Sequence, residues 1–155
     1  PTSGIVQGMR PLMSYNYGAK LKERMHQILK VSGLVIAAIL GAGTLLFFIV
    51  PNVLLSLFNA SSGMLEIGET GLRILSLSFI VSSFGVLMSG VFEALGLGKY
   101  SLIVSLLRQL LITVPLAYIL LNIMGIEGIW LSFVIAEAIA SIVAYILYHK
   151  KFKTI

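Results

Sequence analysis

Residues 31–50 read VSGLVIAAILGAGTLLFFIV, and the run continues without a charge to Phe58, 28 residues in all. A bilayer core of about 30 Å needs about 20 apolar residues in helical form, so this stretch alone is long enough to cross. Pro51 removes a backbone donor and ends or bends the helix there. The expected span is therefore about 31–50, followed by a short interfacial turn through Leu54–Phe58. Three further stretches repeat the signal at about 74–96, 102–123 and 128–148, each with a single charge. Buried helices of soluble proteins rarely keep this purity for so long, and four in series define a polytopic, all-α membrane bundle.

Composition agrees. The 155 residues are 58% apolar and only 11% charged, with mean hydropathy +1.02 and no cysteine. A soluble domain carries about 25% charged residues. A single aqueous core of this size could not hide so much apolar surface. Water-soluble enzymes, disordered chains, disulfide scaffolds and nucleic-acid modules are therefore excluded as classes. The first residue is Pro1, and no charged leader precedes a short apolar core, so a signal peptide is not visible. Such a beginning is expected of the cut end of a longer chain.

The net charge of +5 is explained by position rather than by a polyanionic partner. Arg10, Lys20, Lys22, Arg24 and Lys30 precede the first span, Lys99 lies between the second and third, and Lys150, Lys151 and Lys153 follow the fourth. An even number of spans puts these nine on one side, against Arg73 alone on the other. The positive-inside rule then turns both ends of the chain to the cytoplasm. Trp130 and Tyr148 fall near opposite ends of span four, in the zone aromatic rings prefer. Residues 1–18 are too short and polar to cross alone and suit the cytoplasmic end of a fifth helix. Segment 19–30 reads as an amphipathic surface helix feeding span one. Asn59-Ala60-Ser61 matches a glycosylation sequon, to which no function is attached.

Ionisable groups inside a bilayer are costly and mark work or structure. Arg108 is expected about 9 Å deep in span three, and Glu93 about 5 Å deep in span two, at the helical rise. The tight connection Leu97–Ser101 makes the two spans antiparallel neighbours, so Glu93 and Arg108 are expected to meet as an ion pair. Glu137 lies about 14 Å from either boundary of span four, and no cation shares its span. Two readings stay open: a proton-coupling carboxylate, or a neutral acid bonded to a serine or a carbonyl of a neighbouring helix. Pro115 is expected to bend span three. Small residues such as Gly85, Ser89-Gly90, Ala136 and Ala140 point to close helix packing. His26 and His149 lack metal-ligand spacing, and there is no nucleophile elbow or phosphate loop, so neither an enzyme nor a metal or cofactor is expected.

The order of motifs resembles a known family. Gln7-Gly8-Met9-Arg10-Pro11-Leu12 with Ser14-Tyr15-Asn16-Tyr17-Gly18-Ala19-Lys20 is similar to the end of the second helix in the C-terminal lobe of multidrug and toxic compound extrusion (MATE) transporters. Gly90–Lys99, then Leu107-Arg108-Gln109 and Pro115-Leu116, resembles the family's tenth-to-eleventh helix connection. The resemblance covers essentially the whole chain. It implies a twelve-helix, two-lobe carrier of which residues 1–155 supply the last third, a fragment of the C-terminal lobe in which residues 1–18 close helix eight and spans one to four are helices nine to twelve. It also implies a multi-pass protein of the plasma membrane that exports small cationic, amphipathic drugs in exchange for protons or sodium. The partners implied are membrane lipid and the N-terminal lobe, with no nucleic acid. Gln7, Arg10, Asn16, Glu93, Arg108 and Glu137 become the candidates for gating, coupling-ion or substrate contact. Where the sodium-driven branch has a tenth-helix carboxylate, this chain has Ser82-Ser83-Phe84, which leaves the coupling ion open. The competing readings are a flippase for lipid-linked precursors, which would line its lumen with several Arg and Lys, and a four-span membrane scaffold that transports nothing.

Overall fold

A computed structural model describes residues 2–58 and 62–152 of the chain. These form seven α-helices: α1 (Thr2–Gly18), α2 (Lys22–Ile49), α3 (Pro51–Ser56), α4 (Ser62–Ala94), α5 (Gly98–Leu106), α6 (Thr113–Met124) and α7 (Ile126–Phe152). A π-helical segment, Leu107–Ile112, joins α5 to α6. Four stretches are long and apolar enough to cross a membrane: Lys22–Ile49, Gly63–Ala94, Gly98–Met124 and Ile126–Lys151. The polytopic helical bundle is therefore as expected, with the third crossing built from α5, the π segment and α6. Lys153 and the Asn59–Ser61 sequon lie outside the described residues.

Two boundaries differ from expectation. Segment 19–30 is not a separate surface helix: α2 runs unbroken from Lys22 through Lys30 into the apolar stretch. Lys, Glu, Arg, Met, Gln and Leu are all strong helix formers, so polarity at its start does not interrupt it. The break comes earlier, at the end of α1. Leu21 N–H donates to Asn16 O (2.9 Å) and Lys20 N–H to Tyr17 O (3.0 Å), with Lys20 at φ 57. That pair of bonds is a Schellman cap, here with lysine in the left-handed position that glycine usually takes. The second span also begins earlier than 74. α4 is 33 residues long, and its first three turns carry Glu66, Glu69 and Arg73. A Glu69–Arg73 pair at 2.7 Å, one turn apart, supports those polar turns as helix.

α4 is the centre of the bundle, packing against α1, α2, α3, α5 and α7, while α6 and the π segment rest on α7. Close approach is made possible by small residues. A Cβ at Gly90 would stand 2.5 Å from Val6 Cγ1, so only glycine lets α1 lie this near α4. Gly71 likewise receives the Trp130 ring, which is packed into the α4–α7 seam rather than standing free at the bilayer edge. Ala136, Ala140 and Ala144 form the buried edge of α7, and Ser141 Oγ donates across to Val81 O at 3.0 Å. The core proper gathers Met9, Met13, Met25, Ile36, Met88, Val91 and Phe92, where α1, α2 and α4 meet. Outside it, Leu45, Ile49, Leu111, Tyr118 and Ile142 are exposed, an apolar coat suited to lipid.

One end of the bundle is tied by Ser14 Oγ donating to Ala94 O (2.6 Å) and by Lys151 lying over the Tyr100 ring (5.6 Å). The ends of α1, α4 and α7 and the start of α5 thus share one level. At the C-terminus of α4, Leu97 N–H donates to Phe92 O and Gly96 N–H to Glu93 O, with Gly96 at φ +71. This glycine-capped reversal puts Gly98 at the first turn of the next crossing and so sets the depth of everything on α5 and the π segment.

Candidate functional site

One face of α4 is polar along much of its length. Ser78, Ser82, Ser89 and Glu93 recur at intervals of four, seven and four residues, which stack on one side of a helix. Two cavities open along that face. The larger, about 520 Å³, is lined by Ser78, Phe79, Ser82, Val86, Arg108, Gln109, Thr113, Phe133 and Glu137. The smaller, about 210 Å³, is lined among others by Gln7, Arg10, Ser89, Glu93, Ser101, Ser105 and Arg108. Val86 and Arg108 border both. The hydroxyls of Ser78 and Ser82 donate to carbonyls of their own helix, Leu75 O and Phe79 O, which leaves oxygen lone pairs free to accept.

The expected Glu93–Arg108 pair does not form. Glu93 pairs instead with Arg10 of α1, and its Oε1 accepts from Ser101 Oγ at 2.8 Å. Arg108 faces Glu137 of α7, Nη1 to Oε2 at 3.6 Å. Depth explains the exchange. Ser101, level with Glu93, is the fourth residue of α5, and Arg108 is seven residues further, about 10 Å deeper at the helical rise. Glu137 therefore does have a cation, from a neighbouring helix rather than its own.

The two pairs are differently bound. The Arg10 and Glu93 side chains are 40% and 36% exposed, and Glu93 is held from α1 and α5 at once; Arg10 Nε, though buried, has no acceptor among the described residues. Arg108 and Glu137 are 22% and 18% exposed, and Glu137 Oε2 is buried without a hydrogen bond among the described residues. At 3.6 Å its contact with Arg108 is longer than a hydrogen bond, whereas strong Arg–carboxylate bonds close to about 2.7–2.9 Å.

Arg108 owes its position to the π segment. Pro115, exposed on the outer side, cannot donate to Leu111 and its ring crowds that carbonyl, so the regular ladder fails in the turn before it. The irregularity expected at Pro115 thus sits at Leu107–Ile112. Thr113 Oγ1 donates to the Arg108 carbonyl. π turns are uncommon and recur at functional sites. Of the remaining candidates, Gln7 joins Arg10 on the smaller cavity, while Asn16 stands apart, its Nδ2 donating to Leu12 O at 2.8 Å within α1. Ser101, Ser105 and Thr113 were not among the sequence candidates. The four-and-seven spacing of Ser78, Ser82, Ser89 and Glu93 was the available signal for the polar face.

Comparison with known proteins follows the same lines. The MatE family profile matches residues 1–119. The multidrug export proteins MepA of Staphylococcus saprophyticus and Staphylococcus aureus are each 26% identical over 144 residues, a region that is 93% of this chain and 32% of theirs. The MATE multidrug transporter DinF-BH superposes with TM-score 0.87 at 31% identity over 97% of this chain and 34% of that one. An inward-facing multidrug resistance MATE transporter superposes with TM-score 0.92 at 22% identity, over 99% and 36%. The chain spans about a third of the length of the relatives it matches.

Proposed function

Since the chain belongs to the MatE family, we propose that residues 1–155 are the larger part of the C-terminal lobe of a carrier that exports cationic, amphipathic drugs in exchange for protons or sodium. Four crossings out of the twelve that the resemblance implies are a third, which agrees with the share of the relatives' length that is covered. On this reading α1 ends helix eight and the four crossings are helices nine to twelve, completed in the plasma membrane by the rest of that lobe and by an N-terminal lobe. The nine-to-one distribution of Lys and Arg supports a cytoplasmic position for the end of the bundle that holds Ala94, Gly98 and Lys151.

One observation carries the proposal: a polar cleft with two acid–base pairs runs along the central helix of a bundle otherwise coated for lipid. Ionisable groups at such depth line substrate and ion pathways. Each of the cleft's two arginines faces a carboxylate, so the lining has no net positive field of the kind an anionic lipid-linked precursor would want. The test is efflux of a cationic dye from vesicles carrying the full-length protein, under separately imposed proton and sodium gradients. Dye export driven by one of the gradients is expected; none under either would refute the reading.

A further inference from the structure

We infer that the larger cavity is a site for one organic monocation with Glu137 as its counter-ion, and that Arg108 is a tethered cation that holds this place until the ligand displaces it. The inference rests on the carrier reading above and names, within it, the residue that competes with the substrate.

Three features of the cavity favour a cation of organic character. Glu137 is the carboxylate of this lining, and its Oε2 is buried with no hydrogen bond among the described residues. Phe79 and Phe133 line the same space, and aromatic faces beside a carboxylate attract a bulky, weakly hydrated cation more than a compact hydrated one. The volume, about 520 Å³, falls in the range that admits a drug-sized molecule.

The resting occupant is poorly fitted. A guanidinium that belonged permanently to Glu137 would close to a two-pronged hydrogen bond, yet Arg108 stops at 3.6 Å. It also has somewhere to go. Arg108 borders the smaller cavity, where Ser89, Ser105 and Glu93 offer oxygen acceptors, so its charge can withdraw without entering lipid. The π turn that carries it, which departs from the regular α-helical ladder and has the Thr113 hydroxyl on the Arg108 carbonyl, gives a backbone able to rearrange locally. A ligand cation entering as Arg108 leaves keeps Glu137 neutralised throughout, which avoids an uncompensated carboxylate in the membrane interior.

Equilibrium binding of tetraphenylphosphonium to the full-length protein in micelles tests this. Removing the competitor in Arg108→Gln should tighten binding about tenfold relative to the unaltered protein, whereas Arg108→Lys, which keeps a cation, should change it little. Glu137→Gln should weaken binding at least about tenfold, and the Arg108→Gln/Glu137→Gln double change should be as weak as Glu137→Gln alone. Equal or weaker binding in Arg108→Gln overturns the inference, and so does tight binding in the double variant. If Arg108→Gln is not recovered as a monodisperse protein, the double variant, which buries no lone charge, decides: binding as strong as in the unaltered protein overturns the inference and its loss supports it. Absence of gradient-driven dye efflux would strike the carrier reading alone, because tightening in Arg108→Gln is read from binding.

Discussion

Arg10–Glu93 and Arg108–Glu137 lie along one face of α4, in adjoining cavities, and they are built differently. In the first, a carboxylate near the bundle end is tied from α1 by a guanidinium and from α5 by the Ser101 hydroxyl. It fastens three helices at the turn where α4 reverses into α5. In the second, a deeper and less exposed carboxylate has one partner at long range, and the oxygen that faces it, Oε2, carries no hydrogen bond among the described residues. Burial alone would assign the greater structural weight to the deep pair. The bonding assigns it to the outer one, because that carboxylate is held on both oxygens from two other helices and the deep one is not.

The largest expected effect comes from attacking the ground on which the outer pair stands. Gly90→Leu puts a side chain where a Cβ alone would be 2.5 Å from Val6 Cγ1, so α1 must move off α4 and carry Arg10 away from Glu93. Overpacking of this kind costs about 3 kcal/mol, read as unfolding of the full-length protein in micelles. A melting temperature unchanged by Gly90→Leu would mean that α1 is not seated on α4 as described. Glu93→Ala should follow at about 2 kcal/mol, a figure kept low because the pair is partly exposed. Glu93→Gln, which can still accept from Ser101, should recover about half of that. If Gln and Ala were equally harmful, the hydroxyl bond would contribute nothing and the outer pair would reduce to a simple charge contact.

Thr113→Val probes the deep region by itself. It keeps the shape of the side chain and removes the hydroxyl that satisfies the Arg108 carbonyl, at an expected cost of about 1 kcal/mol. The sharper readout is ligand binding, which should change more for Thr113→Val than for Glu93→Gln, whose carboxylate only helps to receive the displaced Arg108. The reverse pattern would place the working site at the outer pair.

How far the sequence carries is visible in these same residues. Unbroken apolar length is a bulk property of a segment, and it located all four crossings. It could not locate their ends, since hydropathy reports preference for lipid and not helicity; residues 62–73 and 22–30 are polar and helical, and both extend a crossing beyond its apolar stretch. Depth errors followed. Taking the third span from 102 rather than from Gly98 raised Arg108 toward Glu93, and that shift was enough to choose the wrong partner. The π turn was out of reach too, because only Pro115 hinted at it and the disturbance lies in the preceding turn. Pairings such as Arg10 with Glu93, 83 positions apart, depend on the packing of α1 against α4 and have no local signature.

The smallest predicted effect discriminates most finely between the two regions. Glu93 and Arg108 share no partner and stand about two helical turns apart, so in the ligand-free protein the stabilities of Glu93→Gln and Arg108→Gln should add within about 0.5 kcal/mol. A coupling well above that would restore the direct pair that equal depth had suggested and remove the separation argued above. The same cycle measured in saturating tetraphenylphosphonium should no longer be additive. With Arg108 displaced from Glu137 it faces the smaller cavity, and Glu93 then becomes part of what receives it. Additivity that persists in the bound state would mean that Arg108 stays beside Glu137, and the outer carboxylate would then be a fastener for α1, α4 and α5 and nothing more.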